Sequence, residues 1–95
     1  MELERVSADI FGRSCRLPVA LWILRREQSR FYQSEPPQSL GAPTAVRQEL
    51  ERLARAGLLS VEKAEGENRV YYSRTSSPLW RVFAEAADVI AEDRG

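Results

Sequence analysis

Histidine is absent from this 95-residue chain and cysteine occurs once, at Cys15. These two shortages remove the usual imidazole and thiolate sets for a transition metal, the commonest acid–base catalyst and any internal disulfide. A lone cysteine is the usage of a reducing compartment, so the expectation is a cytoplasmic protein. No apolar run nears the ~20 residues of a membrane span, and Met1–Arg5 is acidic and mixed, unlike the start of a secretory leader. Glycine-rich phosphate loops are missing, and no nucleophile stands at a recognisable spacing from a base; neither an enzyme nor a cofactor is expected. There is also no excess of charge, with 14 basic residues against 14 acidic, which withholds the simplest mark of a nucleic-acid partner. Lysine is reduced to Lys63. The arginine bias is that of a GC-rich genome, and it also suits bidentate contacts to phosphate and guanine.

What is present is an ordinary globular composition, 43% hydrophobic and 29% charged, on a length that allows one domain over 1–95 with one core. Leu3, Val6, Ile10 and Phe11 recur at helical spacing and Gly12 stops the run, which predicts a short amphipathic helix. Ser14 is placed to cap a second helix whose centre, Val19–Leu24, is apolar all round and therefore internal. Phe31 and Tyr32 lie in a stretch short enough for a small strand beside others. Ser34 offers a cap for a brief or partly 3₁₀ helix with Pro36 and Pro37 in its first turn, before Gly41-Ala42-Pro43 breaks the chain. From Thr44, Val46, Leu50 and Leu53 form one stripe that ends at Gly57, the strongest helical signal in the chain. Leu58–Glu62 and Val70–Ser73 flank a polar, glycine-containing connection and read as a β-hairpin. Ser77-Pro78 then opens a last helix with Leu79, Phe83, Ala86, Ala87 and Ile90 on its apolar stripe. The predicted fold class is mainly α with a small β-hairpin, in the order α/α/short β/α/α/β-hairpin/α.

Two helices joined by a tight glycine turn and followed at once by a hairpin make a winged helix-turn-helix. The run Ser34–Gly41, then Thr44–Leu53, then Ala56-Gly57-Leu58-Leu59, with Arg69-Val70-Tyr71-Tyr72 closing the hairpin, resembles the winged-helix bacterial regulators of the ArsR and MarR type. Gly12–Leu17 is similar to the start of the second helix in ArsR-like proteins. The chain departs from that pattern in being one residue shorter between Gly41 and Val46 and in its paired prolines. The resemblance implies a homodimeric, double-stranded-DNA-binding transcriptional regulator, a repressor in the commoner case.

On this reading the helix over about 44–56 enters the major groove and a wing over about 62–70 meets the backbone. At 100° per residue Thr44, Gln48, Glu51 and Arg55 lie opposite the apolar stripe, flanked by Arg47 and Arg52. Gln48 suits the N6/N7 edge of adenine, Glu51 the N4 of cytosine, and Thr44 a phosphate or a thymine methyl. Arg47, Arg52 and Arg55 supply phosphate contacts or guanine readout, joined by Ser34 and, at the wing, by Lys63, Asn68 and Arg69; Glu65 and Glu67 would be repelled by DNA. The same face could be merely solvated and laced by i,i+4 pairs such as Arg47 with Glu51. Residues 1–12 and 78–92 are expected to dimerise through Leu3, Val6, Ile10, Leu79, Trp80, Phe83, Ala87 and Ile90, which could equally close the core. Of Tyr71 and Tyr72 one should face inward, and Arg74 is placed to anchor the hairpin base. Cys15, beside Arg13 and Arg16, is either a redox-sensitive thiolate or, as free cysteines ordinarily are, a buried inert thiol. The rival to DNA binding is a winged-helix module that docks a protein, favoured by neutral charge.

Overall fold

The computed structural model describes residues 2–63, Gly66 and 68–94. Among these, the order is α1 (Glu2–Phe11), α2 (Arg16–Leu24), β1 (Arg30–Tyr32), a 3₁₀ turn (Gln38–Leu40), α3 (Pro43–Arg55), β2 (Leu59–Lys63), β3 (Val70–Arg74) and α4 (Trp80–Arg94). It is a small α+β domain of four helices and a three-stranded antiparallel sheet ordered β1-β3-β2. The expected hairpin therefore gains a third strand, Phe31 standing opposite Tyr72 and Val61 opposite Tyr72 on the other side.

Each helix boundary has a local cause. α1 ends at Gly12, whose φ of +84° is the left-handed value that glycine adopts without cost. The expected Ser14 cap is not used: α2 starts at Arg16 with Cys15 in the cap position and no side-chain cap of its own. Instead the buried Ser7 of α1 accepts the Leu17 N–H at 2.9 Å and donates to the Arg13 carbonyl at 2.6 Å, so one orphan donor of α2 is satisfied from the neighbouring helix. Pro18 falls in the first turn, where it removes no helical hydrogen bond.

The brief helix expected after Ser34 shrinks to the 3₁₀ turn, preceded by Pro37 at extended φ and ψ. The prolines sit ahead of the turn rather than inside it, because each forces the residue before it out of helical geometry. Glu35 shapes this loop, exchanging hydrogen bonds with the Tyr32 backbone and pairing with Arg26 at 2.7 Å. α3 then begins one residue before Thr44, with Pro43 at its first position. At its far end Leu58 N–H reaches the Leu53 carbonyl at 2.9 Å and Gly57 N–H the Ala54 carbonyl at 3.1 Å, the paired bonds of a Schellman motif with Gly57 at φ +86°.

The core collects the apolar face of every element. Leu17, Val19, Ala20, Leu21 and Ile23 of α2 are buried at its centre with Val46, Leu50 and Leu53 of α3, Leu58 and Leu59, and Phe31 and Tyr72 of the sheet. Trp22 meets Phe31 edge-on at 5.2 Å between centroids, and Phe31 stacks on Tyr72 at 5.8 Å. Trp80 and Phe83, assigned above to the dimer surface, belong to this core at 6% and 8% exposure. They close the monomer because a chain of this length needs their area inside. Trp80 donates its indole N–H to the Leu58 carbonyl at 2.9 Å, and Thr75 adds its backbone N–H at 3.0 Å and its hydroxyl at 3.1 Å to the same oxygen. The end of α3 and the start of α4 are thereby joined at one point.

Candidate nucleic-acid interface

α3 divides cleanly between inside and outside. Val46, Leu50 and Leu53 are buried, while Thr44, Arg47, Gln48, Glu51, Arg52 and Arg55 are exposed, as the 3.6-residue period requires. The exception is Glu49, 1% exposed, whose carboxylate receives two N–H groups of Arg16 at 2.9 and 3.3 Å with Arg13 Nε at 3.8 Å. The consequence is electrostatic. With Glu49 neutralised inside, the outer face of α3 carries three arginines against the single Glu51. Among the described residues none of the three pairs with Glu51 within 4.0 Å, so the anticipated lacing by i,i+4 pairs is not formed.

The zero net charge also conceals a gradient along the chain. Eight of the fourteen basic residues lie between Arg13 and Arg55, with four acidic ones, whereas residues 1–12 and 78–95 hold seven acidic residues and three arginines. It is distribution rather than total that attracts a polyanion. At the N-terminal end of α3, Ser34, Thr44 and Arg47 line a hollow of about 330 Å³ with Gln33, Pro36, Pro37 and Gln38. Ser34 is thus brought to the helix it was grouped with.

The hairpin is more mixed. Lys63 and Asn68 are exposed at the two ends of the connection. The Arg69 guanidinium lies 4.7 Å over the Tyr32 ring, on the sheet rather than at the tip. Glu65 and Glu67 lie outside the described residues. Tyr72 is the inward member of the tyrosine pair and Tyr71 the outward one, with Arg30 4.0 Å over the Tyr71 ring and 2.7 Å from Glu62. Arg74 anchors the hairpin base, as expected, by donating to the Ile23 and Leu24 carbonyls at the end of α2.

Two buried groups near α3 hold their protons tightly. Burial first, then the Glu49 charge, raises the Cys15 thiol above its ordinary pKa, and the pull of Arg13 and Arg16 does not reverse this. The thiol lies 3.8 Å from the Ala45 carbonyl at 4% exposure, the environment of the inert reading rather than of a redox switch. Burial and then Glu51 raise the Tyr72 phenol, against Gln33 and Arg47. Sequence reasoning missed Glu49 and its arginine partners, because a carboxylate beside the apolar stripe shows no sign of guanidinium groups some thirty residues away.

α1 and α4 leave an apolar groove of about 750 Å³ lined by Val6, Ile10, Phe11, Val82, Ala86, Val89 and Ile90 among others. Ile10, Leu79, Val82 and Val89 are 72%, 48%, 50% and 52% exposed. Leu3, Ala87 and Ile90 are only partly buried and pack on the core. Val82 and Val89 escaped the sequence reading although their spacing signals them: Leu79, Val82, Ala86 and Val89 form a second stripe beside that of Trp80, Phe83, Ala87 and Ile90.

No protein-family model, curated protein or solved structure matches this chain. Among the described residues no helix is long and apolar enough to cross a membrane.

Proposed function

We propose that this chain is a winged helix-turn-helix domain of the ArsR/MarR-like kind, binding double-stranded DNA as a homodimeric, cytoplasmic transcriptional regulator that needs neither metal nor cofactor. α3 is the recognition helix, the β2–β3 hairpin is the wing, and the 3₁₀ turn stands where a positioning helix would. The observation that carries this reading is the outer face of α3, which presents three arginines without an ion pair among the described residues, Gln48, Thr44 and a single acid, Glu51, while the helix's other acid, Glu49, is folded away. A hairpin placed directly after that helix, and a shortage of acid from Arg13 to Arg55, support it as well. The apolar groove of α1 and α4, on segments that hold seven acidic residues against three arginines, is the face for a second copy, which a twofold partner would cover.

Docking of a protein on the same face is the competing reading, favoured by the chain's zero net charge. Salt separates the two. A titration with a labelled duplex from upstream of the gene should show affinity falling steeply with salt, by about 0.9 log units per log unit of salt for each phosphate neutralised. Arg52→Ala should weaken all duplexes alike and reduce that slope by about one. A salt-independent interaction, or equal affinity of parent and variant, sinks the DNA reading.

A further inference from the structure

Arg13 stands on none of the elements first assigned to DNA, yet its Nη2 donates to Gln48 Oε1 at 3.2 Å. A guanidinium has only donors, so an amide facing it must turn its oxygen inward and its N–H₂ outward. Arg13 is held to this position from below. Its Nε lies 3.8 Å from the interior carboxylate of Glu49, and its carbonyl accepts the Ser7 hydroxyl at 2.6 Å. The Arg13 backbone is thus tied to α1 and its side chain is drawn toward an interior charge, so Gln48 meets an oriented guanidinium before any duplex arrives.

That orientation changes what Gln48 can read. Adenine is recognised by an amide that donates to N7 while accepting from N6, and Arg13 already uses one of the two lone pairs of the oxygen this needs. Guanine offers two acceptors, N7 and O6, which suit the donors of the Gln48 amide and the Arg13 guanidinium together. Resting on the assignment of α3 as the recognition helix, we propose that Arg13 is a specificity-determining residue: by engaging the Gln48 oxygen and setting guanidinium donors beside the amide N–H₂, it favours guanine where Gln48 alone would favour adenine.

Selection of binding sites from a randomised duplex pool, run with the parent, Arg13→Leu and Gln48→Glu, tests this. The parent should enrich G·C at the position facing Gln48, by roughly five- to a hundredfold over the other pairs. Arg13→Leu should shift that position to A·T, since the guanidinium donors are gone and both lone pairs of the amide oxygen are free. Gln48→Glu, an exposed change that leaves the fold alone, replaces donors with acceptors and should exchange guanine for cytosine there. Adenine enriched by the parent, or a guanine preference that survives both changes, overturns the inference while leaving DNA binding intact. No salt-sensitive retention of any duplex by the parent overturns the recognition-helix assignment and the inference with it.

Discussion

At the scale of single residues, the chain's largest electrostatic commitment is Glu49. Its carboxylate is interior, while the Arg16 side chain is 24% exposed, so the two partners are not equivalent when one is removed. Arg16→Ala leaves that interior charge only the Arg13 Nε at 3.8 Å and should cost about 3 kcal/mol. Glu49→Ala leaves an arginine that water can reach and should cost about 1–2 kcal/mol. Denaturant unfolding of both variants checks the order, which reverses if Arg16 is the one needing its partner. Cys15 and Tyr72 make a second prediction. Both folded-state pKa values are raised, so the native chain keeps these protons longer than the unfolded one. The associated stabilisation is complete below the ordinary thiol value of 9.0 and phenol value of 10.0 and is lost as pH climbs through the raised values. Melting temperature should fall on the alkaline side, and less so for Cys15→Ala and Tyr72→Phe; equal slopes in all three proteins would exclude these groups as the cause. A buried Cys15 and one inward tyrosine were legible beforehand, but Glu49 was not, because burial of a charged residue depends on which distant elements come to rest upon it.

For the elements, glycines mark where the helices turn, and two of them separate backbone strain from crowding. A methyl at Gly57 meets nothing within 4 Å, so Gly57→Ala should cost only the left-handed backbone, about 1 kcal/mol. At Gly41, with φ +152°, the same methyl comes 3.2 Å from Cys15 Cβ and 3.6 Å from a Val46 methyl. Gly41→Ala should therefore be the more damaging change in denaturant midpoint, an order that fails if only the φ value matters. Elements with strong periodicity were legible in the sequence: α3 and its Gly57 stop, the apolar α2, and both hairpin strands follow directly from their patterns. The weak places were those decided by tertiary partners. Ser7 caps α2 from another helix, so Ser14 was the natural but wrong choice. Pro36 and Pro37 were compatible with a first turn and with an extended approach, and the Glu35 contacts to Tyr32 and Arg26 select the latter. On α4, two neighbouring apolar stripes gave no indication of which one the monomer would keep, and Trp80 and Phe83 went inside.

For the whole molecule, the prediction concerns the groove between α1 and α4. Val82→Glu and Ile10→Glu change side chains that water already reaches, so the monomer fold should survive while a twofold contact across the groove is lost. Sedimentation at micromolar concentration should find the parent heavier than either variant; a parent that is already monomeric ends the dimer proposal. The hydrogen bonds on the Leu58 carbonyl bear on what such a pair could do. Because Trp80 and Thr75 fasten the tail of α3 to the root of α4, in the proposed dimer the part that would grip a second subunit and the part that would meet the duplex would be coupled. A pair built this way is a rigid caliper. One extra base pair between half-sites would swing the far half by about 35° and carry it about 3.4 Å away, more than a jaw without a joint could follow, so spacing would be read as strictly as sequence.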